Sequence, residues 1–142
     1  MRAEPTLNVL LVEDDDVAAE SVVRSLRRGG TAFPVVWAED GLVALAALRG
    51  EDAQRRVPRP RVTLLDLNMP RMNGFEFLQH LRSDPRLSDE VVFVLTTSDA
   101  DSDRTRAYRA HIAGYMVKHV VGPRFSRLAL LLADYSAAVR LP

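Results

Sequence analysis

The chain has no cysteine, which excludes disulfides, thiolate nucleophiles and cysteine-held metals. It has no net charge either. Its 19 basic and 19 acidic residues cancel, leaving no general electrostatic reason for nucleic acid to be a direct partner. No apolar run approaches the roughly 20 residues needed to cross a bilayer, because Arg or Asp interrupts the longer ones. Residues 1–6 mix Arg, Glu and Pro ahead of an apolar run no longer than a strand, so no secretory leader is expected. These absences predict a cytoplasmic protein with no membrane partner. Lysine is nearly absent as well: Lys118 is the only one, and every other basic side chain counted is Arg.

What is present suits one core. At 142 residues and 47% hydrophobic content, the chain has room for a single domain over 1–142 and too little for two. Short apolar runs at 7–12, 33–37, 62–65, 91–95 and 114–117 have the length of strands. Between them, helical spacing predicts helices over 15–28, 40–48, 73–82, 99–111 and 124–139. The first places Val17, Ala18, Val22 and Leu26 on one face and is expected to stop at Gly29 and Gly30. The second carries Val43, Ala44 and Ala47, and the third Phe77, Leu78 and Leu81. In the last, Phe125, Leu128, Leu132 and Tyr135 form a core stripe, with Leu130 and Leu131 off it.

Near-continuous apolar strands alternating with helices argue for a parallel sheet covered on both faces. Right-handed crossovers then leave few topologies. The expected fold is α/β, a doubly wound parallel sheet of five strands in the order 2-1-3-4-5. One connection, 50–61, is unusually long and holds Arg55, Arg56, Pro58, Arg59, Pro60 and Arg61. It reads as a solvated insertion or as a partner surface.

Asp66 follows the apolar run Val62-Thr63-Leu64-Leu65 and precedes the turn-rich segment from Asn68 to Gly74. An acid there sits outside the carboxyl end of a buried strand, where open α/β sheets bind their ligands. Glu13 and Asp14 end the first strand at the same edge. Three carboxylates in one pocket repel and take up protons unless a cation shares the site. Hard oxygen ligands of this kind suit Mg2+, which takes a few carboxylates, several waters and a phosphate oxygen. Asp15 and Asp16 fall where the first helix begins and read instead as capping and dipole-complementing acids. Thr96 brings a hydroxyl to the edge. Lys118 brings a compact ammonium that a planar guanidinium could not replace, the bland alternative being a chance surface lysine. Together these groups can accept a phosphoryl group on a carboxylate, with cation and ammonium balancing its charge.

In this order and spacing, Leu11-Val12-Glu13-Asp14, Leu65-Asp66-Leu67-Asn68-Met69-Pro70 with Met72-Asn73-Gly74, Leu95-Thr96, and Gly114-Tyr115 leading to Lys118 resemble the receiver domain of two-component response regulators, the CheY-like, flavodoxin-like (βα)5 group. The resemblance spans about residues 7–139. It implies that Asp66 takes a phosphoryl group from a sensor histidine kinase, and that Glu13, Asp14, Asp66 and the backbone carbonyl of Asn68 hold Mg2+. It also implies that Thr96 bonds the phosphoryl group, that Lys118 pairs with it, and that Thr96 and Tyr115 form a switch. A core aromatic with its hydroxyl in water is the alternative for Tyr115. Slow loss of the phosphoryl group, rather than enzymatic turnover, is the expectation.

Within the family, Val94-Leu95-Thr96-Thr97-Ser98, Phe75-Glu76-Phe77-Leu78 and Asp84-Pro85 are most similar to single-domain regulators paired with bacterial phytochromes, so a bacteriophytochrome is one candidate for the kinase. The family places Pro after its lysine, where this chain has His119, read as a surface imidazole. A cis peptide costs about 0.5–1 kcal/mol before Pro and about 2.5–4 kcal/mol elsewhere, so the loop at Lys118 is not set by the resemblance. With no output domain expected, signalling would pass through protein contacts or onward phosphotransfer, and the leucines of the last helix suggest a homodimer. Two rivals stand beside this reading. One is a degenerate receiver acting as a binding module. The other is a phosphatase of the haloacid dehalogenase type, whose second acid is replaced here by Asn68.

Overall fold

The structure is a computed structural model that describes residues 6–28, 33–122 and 125–142. Each apolar strand divides its side chains between two faces, as a period of two requires. In β1 (Asn8–Val12), Leu10 and Val12 join one core and Val9 and Leu11 the other. The remaining strands are β2 (Val35–Ala38), β3 (Arg61–Leu65), β4 (Val92–Thr96) and β5 (Gly114–Val117). All pair in parallel, in the order β2-β1-β3-β4-β5, as expected. The helices are α1 (Asp16–Arg27), α2 (Gly41–Leu48), α3 (Gly74–Ser83), α4 (Asp101–Arg109) and α5 (Leu128–Ala138). α2, α3 and Ala107 of α4 cover one face, and α1 and α5 the other.

Helix starts follow their caps. Asp15 accepts from the Val17 and Ala18 amides and Asp40 from that of Val43, while Asn73 and Glu76 form a capping box. Asp15 and Asp16 therefore act as the sequence suggests. One expectation is corrected. Val17 is 76% exposed, and the buried face of α1 runs through Ala19, Val22 and Leu26. Val17 lies five residues before Val22, which at 100° per residue turns it well away from that face. In the last segment Leu128 and Leu132 are buried, whereas Phe125 precedes α5 and has φ 58°. Gly29, Gly30 and Arg124 lie outside the described residues.

The 50–61 connection is anchored rather than solvated throughout. Val57 is buried, and Arg55 Nε donates to the Trp37 carbonyl of edge strand β2 at 3.2 Å. Asp52 and Glu39 hold the same guanidinium, at 3.1 and 3.3 Å. The loop thereby satisfies an acceptor on an open sheet edge. No described helix is long and apolar enough to cross a membrane.

Candidate functional site at the carboxyl ends of the strands

Register sets the site. Val12 lies opposite both Ala38 and Leu65, so β1, β2 and β3 finish level, while Leu65 lies opposite Val94 and β4 and β5 run two residues further, to the pair Thr96 and Val117. The ladders continue one residue further: the Glu13 amide donates to Ala38 O at 3.1 Å and the Asp66 amide to Val12 O at 3.0 Å. Both acids are thus held by backbone bonds at the rim of the core, with Glu13 2% and Asp66 7% exposed. Asp14 is exposed beside them. The carboxylates of Glu13, Asp14 and Asp66 come together, with one oxygen from each lying within 4.8 Å of the others.

Lys118 closes the group from β5. Its amide donates to Thr96 O at 2.8 Å, and its ammonium lies 2.5 Å from Glu13 Oε1 and 3.8 Å from Asp66 Oδ2. The Lys118–His119 peptide is trans and His119 is exposed. The side chain reaches the acids without a proline behind it. Burial pushes the Glu13 carboxyl up to about 7; the hydrogen bond from Lys118 opposes this, and the neighbouring negative charge of Asp66 reinforces it.

Three carboxylates facing one ammonium leave a negative site built of hard oxygens, which fits Mg2+. Asn68 belongs to the same turn, and its amide donates to Asp66 Oδ1 at 3.4 Å. Thr96 is wholly buried, and its hydroxyl oxygen accepts from the Ser98 amide at 3.4 Å. The half-buried Tyr115 donates its hydroxyl to Ser98 O at 2.9 Å, and burial raises its pKa.

Three further contacts support the site, two of them not visible in sequence. The Trp37 indole N–H donates to Glu13 O at 2.7 Å. Arg71, at φ 65°, reaches the buried Asp40 carboxylate at 2.5 Å and ties the turn after Asp66 to the start of α2. A Cβ on Gly74 would come within 2.7 Å of Asp66 O and Leu67 Cα, so the turn folds back onto α3 only with glycine there. Gly74 stood in the quoted motif; the other two contacts join residues remote in sequence, which no local pattern marks.

The sequence profile of the response regulator receiver domain matches residues 9–128. A protein of Methanothrix harundinacea named "Probable methanogenesis regulatory protein FilR2" is 38% identical over 118 residues, covering 83% of this chain and 76% of that protein. The response regulator Rcp1 of Synechocystis sp. is 34% identical over 116 residues, covering 82% of this chain and 79% of Rcp1. The Mn(2+)-bound crystal structure of Rcp1 superposes with a TM-score of 0.80 at 30% identity, over 97% of this chain and 99% of that one. The phosphorylated cyanobacterial phytochrome response regulator RcpA gives 0.84 at 30% identity, over 97% and 99%.

Proposed function

The chain belongs to the response regulator receiver-domain family, whose members are phosphorylated by histidine kinases, and from that premise we propose that Asp66 is its phosphoacceptor. The observation that carries the assignment is Asp66 itself: a nearly buried carboxylate at a strand end, 3.8 Å from the only lysine ammonium and grouped with two further acids. In the transfer, an Asp66 oxygen forms a bond to phosphorus as the phosphorus–nitrogen bond of the kinase phosphohistidine breaks, and the imidazole keeps the electron pair.

Glu13, Asp14, Asp66 and the backbone carbonyl of Asn68 would hold Mg2+. The cation supplies charge neutralisation for the phosphoryl oxygens. Lys118 turns from Glu13 toward the new dianion, a side-chain movement over a short distance, and Thr96 donates its hydroxyl to a phosphoryl oxygen. Thr96 and Lys118 share the backbone bond described above, so drawing both toward Asp66 shifts the loops after β4 and β5. Tyr115, tied to Ser98, follows as the switch residue. The phosphoryl group is then lost slowly, without enzymatic turnover of other substrates.

Within residues 1–142 the acting unit is one receiver domain. Similarity to RcpA, named a phytochrome response regulator, supports a bacteriophytochrome as its kinase. The exposed leucines of α5 support a homodimer. The deciding experiment is incubation with acetyl phosphate and Mg2+ followed by intact-mass measurement. The wild type is expected to gain one phosphoryl mass and Asp66→Asn none; equal labelling of both, or none of the wild type, overturns the assignment.

A further inference from the structure

α4 is held to the body by little apolar surface, since Ala107 is its only buried residue. Its side toward α3 leaves a groove of about 470 Å³, walled by Phe75 and Leu78 on one side and Arg106 and Arg109 on the other, and reaching Arg82 and His111 at one end. Among the described residues no acidic side chain lines this groove, in a chain whose acids and bases balance 19 to 19. Among the described residues neither Arg106 nor Arg109 has a carboxylate within 4.0 Å, whereas Arg104 on the same helix pairs with Asp99 and Asp101.

The Arg106 guanidinium stands 4.1 Å from the centre of the half-buried Phe75 ring. Stacking of this kind shields one face of the guanidinium and leaves its in-plane N–H donors available. Arg109 follows three residues on, on the same side of the helix, so two like charges adjoin with no anion between them. The carbonyl end of the helix dipole makes cations tolerable there. It does not account for Arg106 lying over an aromatic ring in a groove without acids. Arg82 adds positive charge beneath but has its donors committed, bonding the carbonyls of Ala110, Ser88, Glu90 and His111 at 2.8–2.9 Å.

We propose that the groove between α3 and α4 docks an acidic peptide segment of a protein partner, whose carboxylates pair with Arg106 and Arg109 and whose aromatic or aliphatic side chain packs on Phe75. A nucleic acid is the poorer match, because phosphate-backbone binding draws on a broad basic surface and this chain has no net positive charge to extend one. The proposal does not depend on the chemistry at Asp66.

The test is a selection of random displayed peptides on the full-length protein, followed by titration of a synthesised selected peptide and amide-shift mapping. The expected peptide carries several Asp or Glu residues around one apolar anchor and shifts the amides of Phe75, Arg106 and Arg109. Arg106→Glu with Arg109→Glu is expected to weaken it about tenfold or more, while Arg27→Glu, on the other side of the sheet, leaves affinity unchanged. Both arginines are exposed, so the fold should survive; circular dichroism checks this, and Arg106→Gln with Arg109→Gln is the milder second pair. Selected peptides without acids, shifts mapping elsewhere, undiminished binding by both paired variants, or tighter binding of a single-stranded oligonucleotide would each overturn the proposal.

Discussion

At the level of single residues, Glu13 links the acidic site to pH. Its carboxyl titrates near 7 in the fold against 4.5 when unperturbed, so between those values the folded chain holds a proton that the unfolded chain has released. The stability this proton confers is full below about pH 4.5 and is lost as pH rises through 7. Metal-free protein should therefore lose stability over that range relative to Glu13→Gln, compared by urea titration at several pH values. With Glu13 as a proposed ligand, Mg2+ displaces the same proton, so its affinity should fall as pH drops below about 7. Trp37, the only tryptophan and bonded to the Glu13 carbonyl, offers the fluorescence signal for that titration. An affinity flat from pH 5.5 to 8 would contradict the assignment of Glu13 as a ligand. Gly74 provides a steric test. An added methyl would meet backbone rather than a yielding side-chain tip, so Gly74→Ala should cost about 1–3 kcal/mol and slow labelling by acetyl phosphate.

At the level of elements, Arg82 joins the end of α3 to the turn between α4 and β5 through the carbonyls of Ala110 and His111, and to the connection before β4 through those of Ser88 and Glu90. Arg82→Met would strand those acceptors, and hydrogen bonds from a charged donor in a half-buried setting are strong, so a loss of about 2–4 kcal/mol is expected in urea denaturation. Lys in its place should recover little, because a single ammonium cannot span a planar fork. This contact also marks the limit of what the sequence discloses. The five strands and five helices were legible because apolar runs and helical spacing are local. The starts of α1, α2 and α3 moved by one residue because Asp15, Asp40 and Asn73 stand just outside the helices they cap, and the larger shifts, at α4 and α5, fall on helices with no side-chain cap. The acids, Thr96 and Lys118 were legible as strand-end residues that a parallel sheet brings to one edge. The partners of Lys118, the bond from Trp37, and the covering of the β2 edge by Arg55 depend on how remote side chains pack, which periodicity does not encode.

At the level of the whole molecule, the balanced charge conceals a polarity. α1, α3 and α4 carry acids in their first turns, toward the Asp66 edge, and bases in their last turns, as the helix dipole favours. α2 and α5 have neither, and around its buried Leu128 and Leu132 α5 leaves two adjacent leucines in water, Leu130 67% and Leu131 40% exposed. A helix that turns leucines to water while lacking the charges of its neighbours fits a face covered by a second copy of the chain. Because these two leucines contribute little to the monomer core, Leu130→Glu with Leu131→Glu should leave thermal stability nearly unchanged and move the sedimenting species from dimer to monomer. Leu132→Ala should instead cost about 2–5 kcal/mol through the cavity it opens. Sedimentation of the wild type as a monomer across a concentration series, with and without a phosphate mimic, would refute the dimer. A large stability loss in the double glutamate variant would show that these leucines serve the monomer fold instead.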